Sequence, residues 1–259
     1  GFVDEVSVDN LGNIIAFKKG KKTPAKKIML DAHMDEVGFL VKDITEDGML
    51  KLAPAGGIDP RVLIGRRMRV GEKKIPGIIS LKAIHLTTPE ERKVAPGIGS
   101  LYIDIGCTKK EQAEALVMRG DPAMFDSAPI EFGVDCLKAK AIDDRIGCAV
   151  MVEIARKLLS PADDIYYVFS VQEEVGCRGA KVASFAKEPD IGIALDVTGW
   201  GDTPGTSIPE IKLGEGIAVK VMDRASISNP ALREELIACG EKAGVKTQRE
   251  VLPYGGTDA

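Results

Sequence analysis

Three short clusters in this sequence carry the residue types of a divalent-metal hydrolase: His33-Met34-Asp35, Asp143-Asp144-Arg145 and Glu173-Glu174. A fourth acid, Asp196, ends the apolar run that starts at Ile191. Imidazole nitrogens and carboxylate oxygens are the ligands that zinc and similar ions take. The chain holds only two histidines and ends at Ala259, directly after Gly255-Gly256-Thr257-Asp258. A two-ion site built from these clusters would therefore be a ligand short.

Each cluster has a chemical reading and a plainer one. His33 can hold an ion through one ring nitrogen while the other donates to a carboxylate, and Asp35 has the reach to orient it. A hydrogen-bonded core histidine fits the same residue. Asp143 has two oxygens and could bridge ions about 3.5–4 Å apart, or it could cap a helix. Asp144 and Arg145 read as a local ion pair. Glu173 and Glu174 are adjacent, so in an extended chain they point to opposite sides. That divides the labour between a metal ligand and a general base. Two solvated surface acids are the alternative, against which stands the buried character of Val168-Phe169-Ser170-Val171. Asp196 ends a buried strand, where an unpaired charge is costly and a cation would satisfy it. The other histidine, His85, is remote from every cluster and reads as structural or interfacial.

The elements that must position these residues show two textures. Phe2 to Phe17 reads as a hairpin, and Lys27 to Leu30 as a buried strand delivering His33 at its end. Short β-like pieces then recur between Gly and Pro at Val37–Val41, 49–52, 67–70, 77–81 and 100–105, which suggests a small barrel or sandwich. Thr108 and Glu111 have capping-box spacing before a helix reaching Met118. After Leu137 the pattern becomes β/α. Asp143 opens a helix to about Leu159 with Ile146, Val150 and Ile154 on one face, where its charge suits the helix dipole. Strands follow at 165–171, 191–195 and 219–222, with a helix at 180–185. Asn229-Pro230 has the cap and first-turn proline of a helix ending near Gly244. Asp202 to Glu210 reads as a mobile loop. Alternation of this kind argues for a mostly parallel sheet flanked by helices, and ligands of such sheets bind beyond the carboxyl ends of the strands. The polar clusters sit at those ends.

The fold class expected is α/β, with an inserted small all-β, barrel-like domain. Residues 1–38 and 131–259 form the discontinuous catalytic domain and 39–130 the insert. At 259 residues the chain can build such a core without disulfides or a structural metal. Its five cysteines are odd in number and form no Cys-x-x-Cys pair, which argues against a disulfide framework and a zinc ribbon. A net charge of −4 gives no footprint for nucleic acid or an anionic membrane. No apolar run approaches the roughly 20 residues that cross a bilayer. A cytoplasmic setting is expected.

Six segments occur in a specific order: Ala32-His33-Met34-Asp35-Glu36-Val37-Gly38, Ile142-Asp143-Asp144-Arg145-Ile146-Gly147-Cys148, Val171-Gln172-Glu173-Glu174-Val175-Gly176, Asp196-Val197, Gly201-Asp202-Thr203-Pro204-Gly205 and Gly255-Gly256-Thr257-Asp258-Ala259. Along its whole length the chain resembles the tetrahedral aminopeptidases, di-metal peptidases related to glutamyl and deblocking aminopeptidases, some labelled endoglucanase. The resemblance implies a zinc-peptidase domain, a β domain used in subunit association and a dodecameric shell built from dimers. It implies that His33, Asp143 and Asp196 hold one zinc or cobalt ion, that Asp143 and Glu174 share a second, and that Glu173 is the catalytic base. The family's last His ligand and terminal elements have no counterpart in these residues. The expectation is therefore part of a longer chain whose second metal site is weak or empty.

The function expected is a metal-dependent aminopeptidase acting on peptide N-termini. A carboxylate-pair glycosidase is the rival enzyme; it needs carboxyl groups about 5–9.5 Å apart and has no use for His33 or Asp35. The third reading is a catalytically incomplete, metal-binding shell protein.

Overall fold

The structure is a computed structural model and describes residues 1–199, 201, 204–205 and 211–259. The expected loop Asp202–Glu210 lies outside those residues apart from Pro204 and Gly205. The chain divides into two compact units: residues 1–34, 143–173 and 177–259, and residues 35–142 with 174–176.

In the first unit, β1 (Glu5–Val8) and β2 (Ile14–Lys18) form the expected hairpin. Its turn closes on Asp9, whose Oδ1 accepts the N–H groups of Leu11, Gly12 and Asn13 at 2.9–3.0 Å. With β3 (Lys27–His33), these strands join a sheet completed by two later ones, introduced below.

The second unit is a closed six-stranded barrel. Its strands are β4 (Gly38–Ile44), β5 (Leu50–Ala55), β6 (Arg67–Val70), β7 (Ile75–Ser80), β8 (Tyr102–Asp104) and β9 (Pro122–Phe125), in the order β4-β5-β8-β7-β6-β9. The sequence reading lacked β9, which pairs with both β4 and β6 and so closes the ring. Closure leaves no unpaired edge. The barrel is filled by Phe39, Val41, Leu50, Leu63, Met68, Ile79, Leu101 and Ile103 among others, all fully or nearly fully buried. Helix α1 (Lys110–Glu114) is shorter than expected and Thr108 is not its cap; instead the Gln112 side chain reaches back to the Thr108 N–H at 3.0 Å. A hairpin of β10 (Ile130–Phe132) and β11 (Cys136–Lys138) ends this unit.

The chain returns to the first unit along α2 (Ile142–Lys157), then β12 (Asp164–Ser170), α3 (Arg178–Lys187) and β13 (Ile191–Ala194). The sheet order is β1-β2-β12-β3-β13. Pairs β12/β3 and β3/β13 are parallel, whereas β1/β2 and β2/β12 are antiparallel. The sheet is thus mixed, where the sequence suggested mostly parallel, because the N-terminal hairpin is built into it. Met151 and Ala155 of α2 pack on Ala16, Ala32, Ile165 and Tyr167. Ala183 of α3 packs with Ile15, Met29 and Val168, which alternate to the opposite face. The buried stripe of α2 is Gly147, Met151 and Ala155; Ile146 and Val150 are exposed. The expected face is therefore one residue out, since small side chains let the helix lie close to the sheet.

A separate parallel pair, β14 (Ile217–Met222) and β15 (Thr247–Val251), flanks α4 (Pro230–Ala243). Asn229 caps α4 by accepting the Leu232 N–H at 3.1 Å, and Gly244 ends it with φ +69°. Among the described residues no helix is long and apolar enough to cross a membrane.

Candidate metal centre

Register brings the sequence clusters together in the first unit. His33 is the last residue of β3, and Ser170, the last of β12, stands opposite it in the parallel ladder. Glu173 follows three residues later. On the other side, Ala194 of β13 pairs with Asp31, which brings Asp196 out at the level of His33. Three parallel strands thus deliver an imidazole and two carboxylates at their carboxyl ends. The fourth group comes from the start of α2, where Asp143 and Asp144 are joined by a cis peptide bond and have non-helical backbone angles.

The side chains converge on the His33 imidazole, which is 2% exposed. Its Nε2 lies 3.0 Å from Asp143 Oδ1, 3.8 Å from Asp196 Oδ1 and 3.8 Å from Glu173 Oε2. Ligand atoms of His33, Asp143 and Asp196 all fall within 4.8 Å of one another. Burial holds the Asp196 carboxyl up at about 7, helped by the charges of Asp144 and Asp143 and opposed by the Val197 N–H that it accepts at 2.7 Å. Asp144 is fully buried and likewise pushed up to about 7, mainly by burial. Its Oδ1 accepts the Gly147 N–H at 3.2 Å, while Oδ2 has no hydrogen-bond partner. A Cβ at Gly147 would stand 2.4 Å from that oxygen, so a larger residue there would displace the Asp144 carboxylate. Asp144 is not paired with Arg145, whose Nε donates to the Met34 carbonyl at 3.1 Å.

This donor set fits a divalent cation. One imidazole nitrogen and two carboxylates match the N/O preferences of zinc and cobalt. Several buried acids around one imidazole are an excess of negative charge, and a bound cation reverses the upward shifts by favouring the ionised form.

The two remaining sequence-derived site residues, Asp35 and Glu174, belong to the second unit. There the Glu174 N–H donates to Asp35 Oδ2 at 3.3 Å. His85 sits exposed on a short 3-10 turn, Ile84–Leu86, also in that unit.

Four polar residues of the first unit were missed in the sequence. Asp31 lies two residues before His33 on the same face of β3 and is 2% exposed. Ser170 Oγ stands 2.8 Å from both Asp31 Oδ1 and Asp258 Oδ2. A hydroxyl has one proton, so one of these acids must supply another. Burial, followed by the Asp258 charge, pushes Asp31 up to about 9, so the pair shares a proton at neutral pH. Cys177 is the fourth; its Sγ lies 3.4 Å from Glu173 Oε1 and 3.4 Å from the Thr257 carbonyl oxygen. Glu173, Cys177 and Asp258 form a second group with ligand atoms within 4.8 Å. A charged residue inside the apolar run Ile28–Ala32 was the one signal available, and it pointed to Asp31.

Comparison with known proteins identifies the family. A family model described as M42 glutamyl aminopeptidase matches residues 12–259. A relative in Acetivibrio thermocellus that carries a provisional aminopeptidase name is 42% identical over 256 residues, 99% of this chain and 74% of its own length. The lysyl aminopeptidase of Pyrococcus furiosus is 38% identical over 269 residues, 99% of this chain and 74% of its own. The solved TET aminopeptidase of a marine-sediment thaumarchaeon has a TM-score of 0.94 at 36% identity, covering 100% of this chain and 74% of that one. The TET1 peptidase of Pyrococcus horikoshii, described as able to assemble into a tetrahedron or a large octahedral shell, has a TM-score of 0.85 at 32% identity, covering 98% and 76%. This chain belongs to the M42 glutamyl aminopeptidase family of peptidases.

Proposed function

We propose that the chain is a metal-dependent aminopeptidase that removes residues from peptide N-termini with Glu173 as its general base. The observation that carries the reading is the His33 imidazole, buried at the strand ends and faced by Asp143, Asp196 and Glu173 within 3.0–3.8 Å. His33, Asp143 and Asp196 would hold one zinc or cobalt ion. Such an ion supplies Lewis acidity, polarising the scissile carbonyl and making water a better acid at neutral pH.

The protein's own residues do the rest. Glu173 Oε2 faces His33 and takes a proton from the attacking water. The same oxygen then gives that proton to the leaving amine nitrogen. Gln172 and Cys177 flank this base in left-handed backbone conformations, φ +61° and +53°. Non-glycine residues held there cost about 1 kcal/mol each and mark a loop fixed by its surroundings. Asp35 keeps the role read from its reach, orientation of His33, and Glu174 the role the resemblance gives it, ligation of a second ion. By the resemblance the barrel unit mediates self-association into a dodecamer, and the unpaired cysteines suit a reducing, cytoplasmic setting. The known assembly of the Pyrococcus horikoshii peptidase supports that part of the reading.

Glu173→Gln tests the mechanism. Turnover of aminoacyl anilides is expected to fall about 10³-fold, within the range for loss of a general base, with metal content by mass spectrometry unchanged. Undiminished turnover removes Glu173 from the role. Chelation separates this reading from the glycosidase, which would survive it.

A further inference from the structure

Glu173 has two oxygens with different neighbours. Oε2 looks toward His33 Nε2 at 3.8 Å, whereas Oε1 lies 3.4 Å from Cys177 Sγ, within reach of a thiol hydrogen bond. The loop holds that sulfur in place. The Cys177 N–H donates to the Glu173 carbonyl at 2.9 Å, the Arg178 N–H to Gln172 at 3.2 Å and the Gly179 N–H to Val171 at 3.0 Å. Three backbone bonds therefore close the turn that carries both residues. The thiol has a second acceptor, the Thr257 carbonyl, also at 3.4 Å. Glu173 is only 12% exposed, so the partners of its carboxylate are set by the protein rather than by water.

We infer that Cys177 is a positioning residue for Glu173: its S–H donates to Oε1 and leaves Oε2, the oxygen facing His33, to carry the proton in catalysis. A thiol suits this task because it is a weak donor. It orients a carboxylate without removing much of its basicity, as a charged donor would. Burial, and then the charges of Glu173 and Asp258, push the thiol up to about 12, so it stays protonated and does not compete for the substrate proton. Once Glu173 has been protonated, the thiol proton can turn to the Thr257 carbonyl, and turn back when the base is regenerated. The inference rests on the reading of Glu173 as general base.

The test is a pair of variants in the full chain, Cys177→Ala and Cys177→Ser, assayed on aminoacyl anilides with metal content and thermal unfolding measured alongside. Loss of one hydrogen bond from a weak, neutral donor to the reacting carboxylate is expected to lower kcat about tenfold in Cys177→Ala, with KM and bound metal unchanged. Cys177→Ser keeps a donor and is expected to recover kcat to within about threefold of the wild type. Equal kcat in Cys177→Ala and the wild type overturns the inference, as does a serine variant no better than alanine. Should the alanine variant fail to fold, the infrared S–H stretch of Cys177, isolated as wild type minus Cys177→Ser, decides. It is expected at the lowered frequency of a carboxylate-bonded thiol, rising in Glu173→Ala. A frequency indifferent to Glu173 overturns the inference. A fully active Glu173→Gln defeats the general-base reading itself, whereas an inactive Glu173→Gln beside a fully active Cys177→Ala defeats the positioning role alone.

Discussion

The two units bury different things. Fifteen hydrophobic side chains form the core of the barrel, and among the described residues no buried polar or charged side chain lies in it. In the sheet unit the fully buried set includes Asn13, Asp31, His33, Asp144, Ser170, Asp223 and Glu250, while five of its buried apolar residues are alanines. A closed barrel satisfies its backbone internally and can fill its interior with Leu, Ile, Val and Phe, which costs nothing in unpaired polar groups. The sheet unit carries groups whose desolvation is expensive and must be offset by partners. Among the described residues, a large apolar core and buried polar groups are thus concentrated in separate units. Lys220 and Glu250 show the offset on a small scale. They pair in register across β14 and β15, with Nζ 3.0 Å from Oε2, and Thr198 donates to the other oxygen at 2.5 Å.

The largest expected effect breaks the polar side of this contrast. His33→Ala removes the one nitrogen donor of the cluster and should weaken zinc binding more than 100-fold, beyond the 10–100-fold typical of outer-shell partners. Titration with a competing chelator measures it. In the wild type, ion at 100 times its dissociation constant should add about 2.7 kcal/mol of protection, read by hydrogen exchange in β3, β12 and β13 and absent from the barrel strands. Protection spread equally over both units would erase the distinction. Leu50→Ala attacks the apolar side. Leu50 is fully buried beside Ile103, its partner across β5 and β8. The cavity should cost about 2–5 kcal/mol, seen as faster exchange in β4 to β9 with zinc affinity unchanged.

The same contrast decides what could be read from the sequence. Where local chemistry fixes an element, the reading held: Asn229, Pro230 and Gly244 mark both ends of α4 because cap, first-turn proline and left-handed stop are all local. Strand β9 was missed because Gly120-Asp121-Pro122 reads as a turn, and only pairing with β4 and β6, distant in sequence, makes it a strand. Strand β15 was missed because Gln248, Arg249 and Glu250 look solvated, yet Glu250 is buried against Lys220. The site shows the same split. His33, Asp143, Glu173 and Asp196 stood out because each interrupts or ends an apolar run. Asp31, Ser170, Cys177 and Asp258 did not, since a buried acid is intelligible only beside its partner, and Ser170 and Asp258 are 88 residues apart. The apolar face of α2 was misplaced by one residue because periodicity locates a stripe, whereas fit against Ala16 and Ala32 decides which side chains fill it.

The smallest expected effect lies in that unread group. Ser170 Oγ joins Asp31, which ends two residues before His33, to Asp258 near the end of the chain. Replacing the hydroxyl in Ser170→Ala leaves two buried acids with one bridge fewer, while the proton between them still prevents a full charge clash. Loss of a buried hydrogen bond to a polar pair costs about 1–3 kcal/mol, so the effect should be well below that of an emptied barrel position. Urea unfolding should show it as a lower midpoint with the same slope. Exchange should quicken at Asp258 and along β3 but not in β4 to β9. An effect as large as that of Leu50→Ala would mean that polar bridges, rather than packing, carry the stability of the sheet unit.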